Sequence, residues 1–183
     1  MPDDMLTEFY SIGKSLSSEK DTLKLFEKII YSSMRLTSAD AGTIYIVIDK
    51  KTGGWSHVGN ARVRDRLLKF AIARNTSMEV NLQDFTAPIT KKSIFGYTVI
   101  SGKPLRISDA YKIGDDVEYR HSHDFDKCTG YRTKSLLSIP MKNHNNEITG
   151  VIQLINKKNA WDIAIDYRQA NAADEILPFN DTD

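Results

Sequence analysis

The residues best suited to do chemistry lie between positions 121 and 133. Asp126, Thr129 and Thr133 set a carboxylate and two hydroxyls at steps of three and four. That spacing can bring them to one side of a helical turn, with Gly130 letting the chain leave the turn and enter a strand. Such groups read a polar ligand by hydrogen bonds; equally, Asp126 and Thr129 could do no more than cap and turn the chain. Just before them, His121, Ser122 and His123, with Asp124 and Asp126, offer imidazole and carboxylate groups of the kind that hold a metal ion. Dense His and Asp in a loop need not converge, so a solvated polar loop is the plainer reading and no metal site is assigned. Cys128 beside Lys127 would be a nucleophile if that charge lowered its pKa. With no resolving cysteine and no fixed histidine partner evident, a plain thiol is the favoured reading, and no catalytic residue is assigned.

None of the motifs that specify a reaction by themselves is present: no P-loop, no dinucleotide glycine fingerprint, no His-Glu-x-x-His, no paired cysteines. The 183 residues suit one domain. Their 40% hydrophobic and 27% charged content is that of a globular chain rather than a disordered one. A formal charge of +1 gives no global field to gather nucleic acid or an anionic membrane, so a partner must be chosen locally. The single cysteine forbids an internal disulfide. With an acidic start that lacks the basic and apolar regions of a secretory signal, it points to a reducing, cytoplasmic setting.

These groups must be held by the elements around them. Leu6, Phe9, Tyr10, Ile12 and Leu16 recur at helical steps, and Leu23, Phe26, Ile29, Ile30 and Met34 mark a second helix, opened by Ser18 with Asp21 in its first turn and ending near Ser38. Residues 41–49 are β-branched and read as a strand buried on much of both faces. Residues 67–73 follow the Gly53-Gly54 turn and read as a second strand. Residues 75–90 read as polar and irregular, 93–101 as a short helix ended by Gly102, and 104–107 as a short strand. Residues 109–130 read as a long connection with a short helix. Residues 135–141 and 148–155 flank a polar turn as a β-hairpin, with Pro140 near a strand end or facing an edge. Residues 163–177 suggest a last helix, stopped by Pro178. Helices with an antiparallel sheet, without βαβ alternation, make an α+β domain.

The run FDKCTGYRTKSLLSIPM over 125–141, followed by GVIQLINK over 150–157, resembles GAF domains. The likeness is to the type found in cyclic-nucleotide phosphodiesterases, cyanobacterial adenylate cyclases and bacterial signalling proteins. Supporting pieces are AGT at 41–43, SIFGYTV at 93–99, GKPL at 102–105 and SDAY at 108–111, so the likeness runs from about residue 22 to residue 157 in the expected order. It implies a central antiparallel sheet, with N- and C-terminal helices on one face and ligand-pocket helices and loops on the other. By the same resemblance, Asp126, Thr129 and Thr133 match an acid and two threonines that contact a bound nucleotide. Ile94 and Phe95 match a backbone-contacting segment, Gln153 a polar position on the last strand, and Arg74 and Thr76 fall near base or phosphate contacts. The Asn-Lys…Phe-x-x-x-Asp signature appears in stretched form as Asn156, Lys157, Phe179 and Asp183, which makes Lys157 and Asp183 a structural ion pair.

The expectation is a regulatory, non-enzymatic sensory domain binding a small anionic molecule, with a cyclic nucleotide (cAMP or cGMP) as the ligand in view and no cofactor otherwise assigned. Residues 1–18 would be a dimerisation or signalling helix, residues 19–160 the domain, and residues 161–183 a helical connector to an output domain (phosphohydrolase, cyclase or kinase) in a longer chain. A homodimer is expected, with no nucleic-acid or membrane contact from this segment. Two alternatives stand beside it. One is a ligand-free dimerisation module. The other is a reductase of free methionine sulfoxide on the same fold, which needs more than the single Cys128.

Overall fold

Alternation along one strand organises the whole molecule. In the computed structural model, which describes residues 11–14, 18–59, 63–79, 85–169 and 171–183, the β-branched run becomes strand β1, Ala39–Asp49, buried along nearly all its length. Because strand side chains point to opposite faces in turn, Ile44, Ile46 and Ile48 fall on one side and Ala41, Thr43, Tyr45 and Val47 on the other. The first set packs with helix α1 (Thr22–Thr37) through Phe26, Ile30 and Met34. Val47 belongs to a second core with Leu68, Val99 and Val151, and Ala41, Thr43 and Tyr45 are left to face a cavity.

Around β1 the sheet is six-stranded. Its other members are β2 (Arg66–Asn75), β3 (Thr86–Pro88), β4 (Leu105–Ile107), β5 (Leu136–Lys142) and β6 (Ile148–Lys157). The spatial order is β3-β2-β1-β6-β5-β4, and every neighbouring pair is antiparallel. β5 and β6 form the hairpin expected from the sequence. β4 pairs only with residues 136–138, which leaves Pro140 beyond its reach, where a missing N–H costs nothing. Two helices complete the cavity side: α2 (Ile94–Ser101), capped by Ser93 and ended by Gly102, and α3 (Asp124–Thr129). The molecule is thus an α+β fold built on a six-stranded antiparallel sheet.

Three details depart from the sequence reading. The N-cap of α1 is Asp21, whose Oδ1 accepts from the backbone N–H of Leu23 (2.9 Å) and Lys24 (3.2 Å), so Ser18 does not open that helix. β3 was hidden in the stretch read as irregular, since three residues ending in proline carry no strand signal of their own. Among the described residues the last helix is absent. The described residues of 163–177 contain turns and one 3-10 turn, Ala172–Glu175, so among the described residues no C-terminal α-helix lies on the sheet. Ile165, Ala172 and Ile176 do have helical spacing and do cluster. Tertiary hydrogen bonds outweigh that pattern: Ile165 N–H donates to Ser77 Oγ (2.8 Å), and Tyr167 Oη donates to Asp40 (2.8 Å). Of the first expected helix, residues 11–14 are helical and the rest lies outside the described residues. Among the described residues no helix is long and apolar enough to cross a membrane.

The tail is tied back to the sheet. Phe179 is buried in the α1-side core, and Lys157 Nζ lies 2.5 and 2.6 Å from the two carboxylate oxygens of Asp183. Asn156, fully buried with φ +57°, accepts from Lys134 N–H and donates to Arg132 O and Tyr167 Oη.

Candidate ligand-binding site

The face of the sheet opposite α1 is only partly covered, and a cavity of about 640 Å³ lies there. This size is within the range of small-molecule sites. Its floor is the sheet itself: Ala41 and Thr43 of β1 lie opposite Ile155 and Gln153 of β6 in the register, with Tyr45, Ala73 and Asn75 alongside. The walls are Ile94 and Phe95 at the start of α2, Phe125, Tyr131 and Thr133 around α3, and Phe85, Ala87 and Pro88 at the β3 edge.

Gly96 makes that wall possible. A Cβ there would collide with the backbone oxygen of Thr90, so only glycine lets the loop before α2 close against its first turn. Ser93 Oγ accepts from Gly96 N–H (3.2 Å) and fixes the helix start at the cavity rim.

Two polar side chains on the floor stand out. Gln153 and Thr43 are each 6% exposed, both border the cavity, and neither side chain has a hydrogen-bond partner among the described residues. Buried polar groups are almost always paired, and here the cavity is what each faces. At the rim stand Lys92, His121 and Arg120, the last with its guanidinium already bonded to Asp115 and to the carbonyls of Val117 and Tyr119, together with the carboxylate of Asp124. A bridge between Ser93 and Arg120 and the Arg120 N–H to Lys92 O bond (2.9 Å) hold the two cationic residues side by side in the backbone. The cavity therefore offers apolar and aromatic surface, two unpaired polar groups at its base and cations at its mouth. That combination suits a flat, polar-edged molecule carrying negative charge.

The structure separates the residues the resemblance had grouped. Ile94, Phe95, Thr133 and Gln153 line the cavity, and Arg74 borders it. Arg74, however, is paired with Gly42 and so shares the α1-side face of the sheet; its guanidinium lies 5.3 Å from the centre of the Tyr31 ring on α1. Asp126, Thr129 and Thr76 are not on the wall. Asp126, 4% exposed, accepts from Thr133 N–H (2.9 Å), Thr133 Oγ1 (2.9 Å) and Tyr111 Oη (2.7 Å), with His121 Nε2 at 3.5 Å. Burial pushes its pKa up, but the hydrogen bonds from His121, Tyr111 and Thr133 outweigh that and hold the carboxyl below its usual range. The same Tyr111 is raised to about 12 by burial and by Asp126. Thr129 is exposed and turns its hydroxyl back to Phe125 O (2.8 Å), as mid-helix threonines do. The three groups therefore do not meet: Asp126 pairs with Thr133, and Gly130, at φ +74°, turns the chain between them.

Thr76 belongs to a different cluster. Its Oγ1 donates to Asp40 Oδ1 (2.8 Å) and accepts from Lys158 Nζ (2.9 Å). Asp40 is fully buried and also accepts from Ser77 Oγ (2.5 Å), Tyr131 Oη (3.0 Å) and Tyr167 Oη (2.8 Å), with Lys158 Nζ at 3.8 Å. Burial lowers the Lys158 pKa, and Asp40 offsets part of this. Tyr131 links this cluster to the cavity, since its ring is in the wall and its hydroxyl is on Asp40. Thr43, Lys92, Arg120 and Tyr131 were not picked out in the sequence. Period-two alternation along residues 41–45 was the signal that could have found Thr43.

The profile of the GAF domain family matches residues 21–169, and the chain belongs to that family. Its relatives include the dual 3',5'-cyclic-AMP and -GMP phosphodiesterase 11 of Drosophila melanogaster. That protein is 31% identical over 150 residues, covering 82% of this chain and 10% of the phosphodiesterase. Another is the dual 3',5'-cyclic-AMP and -GMP phosphodiesterase 11A of Takifugu rubripes, 29% identical over 157 residues, 85% of this chain and 16% of that protein. The chain thus corresponds to a small part of either enzyme's length. Among solved structures, the GAF domain of a phosphoenolpyruvate-protein phosphotransferase from Coxiella burnetii superposes with a TM-score of 0.63 at 12% identity, over 97% of this chain and 82% of that one.

Proposed function

We propose that this chain is a regulatory, non-catalytic sensory domain that takes a small anionic molecule, a cyclic nucleotide first among candidates, into the cavity over β1 and β6. The observation that carries the reading is the pair Thr43 and Gln153, buried, facing each other in the register and without a side-chain hydrogen-bond partner among the described residues. A nucleobase edge would satisfy both, Phe95 and Tyr131 supply apolar contact for the ring, and Lys92 at the rim supplies charge for a phosphate. The relationship to dual-specificity cyclic-nucleotide phosphodiesterases agrees with this choice of ligand. In this reading the domain reports to an output domain of a longer cytoplasmic protein, a phosphohydrolase, cyclase or kinase, and pairs with a second copy through its N-terminal helix. Ligand-dependent stabilisation of one helix arrangement over another is the physical basis of such a signal.

A second reading has one observation in its favour. The hydrogen-bonding capacity of Asp126, Thr129 and Thr76 is used within the fold, as it would be in a ligand-free dimerisation module. Thermal unfolding with cAMP and with cGMP separates the two. A ligand at 100 times its dissociation constant adds about 2.7 kcal/mol of stability. The sensory reading expects a higher midpoint with at least one nucleotide, reduced by Gln153→Leu. An unchanged midpoint with both nucleotides favours the ligand-free module.

A further inference from the structure

Three donor groups converge where the long connection enters α3. One ring nitrogen from each of His121 and His123 and one carboxylate oxygen of Asp126 all lie within 4.8 Å of one another. The side chains of His121 and Asp126 are 12% and 2% exposed, so the cluster is largely shielded from water. Its third member carries an anomaly. His123 Nδ1 is buried with no hydrogen-bond partner, although its ring packs 4.3 Å from Tyr111 and 4.9 Å from His121, centre to centre. A buried nitrogen left unpaired beside a second imidazole and a carboxylate is a group awaiting a partner.

We infer that His121, His123 and Asp126 bind one divalent transition-metal ion of the zinc, cobalt or nickel kind. Two imidazoles and one carboxylate suit these ions rather than calcium or magnesium, which take oxygen cages. The carboxylate is already aimed by Tyr111 Oη and by Thr133 N–H and Oγ1, the sort of supporting bonds that orient metal-ligating side chains. Bonds of about 2.0–2.2 Å around a tetrahedral ion bring its donors to about 3.4 Å from one another, so the cluster must contract from its present span. Asp126 is fixed by its hydrogen bonds, whereas residues 121–123 lie outside any helix or strand and can make the adjustment. Three protein ligands leave a position open. His121 also belongs to the cavity wall, so the ion would sit at the cavity's edge. The inference does not depend on what the cavity itself holds.

The test is titration of the purified metal-free chain with Co2+, followed by visible absorption, and with Zn2+, followed by calorimetry. The expected result is one ion per chain with an intense low-symmetry cobalt band, and at least a ten-fold loss of affinity in each of His121→Ala and His123→Ala. His144→Ala, outside the cluster, should bind as wild type does. His123→Ala removes no side-chain hydrogen bond but does remove the ring contacts with Tyr111 and His121, so its affinity is read on the folded variant, and His123→Gln serves in its place if it does not fold. Binding that is absent from the wild type, or equal in the wild type and the folded His121 and His123 variants, would overturn the assignment.

Discussion

Tyr131 donates its hydroxyl to Asp40 across 3.0 Å while its ring forms part of the cavity wall, so one side chain belongs both to the ligand space and to the buried cluster that anchors the C-terminal segment. The second ring on Asp40, Tyr167, lies 4.3 Å from Tyr131, tilted by 43°, and comes from that segment. A ligand pressing on Tyr131 would therefore act on residues 165–167 through two hydroxyls and one carboxylate. Tyr131→Phe keeps the ring and deletes one bond to a charged acceptor. It should cost about 1.5–3 kcal/mol in chemical denaturation. Asp40→Ala should cost more, about 3–5 kcal/mol, because it leaves the buried Lys158 without its counter-charge.

Gly96 admits the Thr90 backbone against the first turn of α2. Gly96→Ala forces the two apart and should destabilise by about 1–3 kcal/mol, the usual range for overpacking. Since Ile94 and Phe95 precede it in the cavity wall, the same variant should weaken any cavity ligand. Equilibrium unfolding and ligand titration on one preparation check both effects.

Phe179 fills the α1-side core from a segment otherwise made of turns. Phe179→Ala should cost about 3–5 kcal/mol. Asp183→Asn, which breaks the partly buried pair with Lys157, should cost less. Hydrogen exchange should show the loss of protection concentrated in β6 and residues 176–183.

Five tyrosines with raised pKa give the fold an alkaline limit, among them Tyr111, raised to about 12, and Tyr119. Burial raises Tyr45 to about 12 and also raises Tyr131 and Tyr167, the latter two with the Asp40 charge adding to the effect. An unfolded tyrosine ionises near pH 10, so above that pH the unfolded chain has lost protons that the folded chain keeps. Stability is then fully present below about pH 10 and falls as pH rises through the folded-state values. Denaturation midpoints measured between neutral and strongly alkaline pH should show this fall, with a shallower slope for Tyr167→Phe. Ultraviolet difference spectra should show part of the eight-tyrosine signal appearing only on unfolding.

The hydrophobic patterns of α1, β1, β2 and the β5–β6 hairpin are local, and they were legible in the sequence because each element's own periodicity decides its state. The stretch 163–177 was not, since its helical spacing is overridden by bonds to Ser77 and Asp40, residues 88 and 127 positions away. The site divides in the same way. Gln153, Ile94, Phe95 and Thr133 could be placed by motif. The inward turn of Asp126, the outward turn of Thr129 and the capture of Thr76 by Asp40 depend on which neighbours the fold brings up. Strand parity alone explains Arg74: sharing a face with Gly42 sends its guanidinium towards Tyr31 and α1.

The most direct test is calorimetric titration of the wild-type chain, Gln153→Leu and Lys92→Ala with cAMP and cGMP. The expected result is binding of one nucleotide per chain, weakened at least ten-fold by Gln153→Leu and more sensitive to salt in the wild type than in Lys92→Ala. No heat from a folded wild type with either nucleotide, or affinity unchanged by both substitutions, would contradict the placement of a cyclic nucleotide over Thr43 and Gln153.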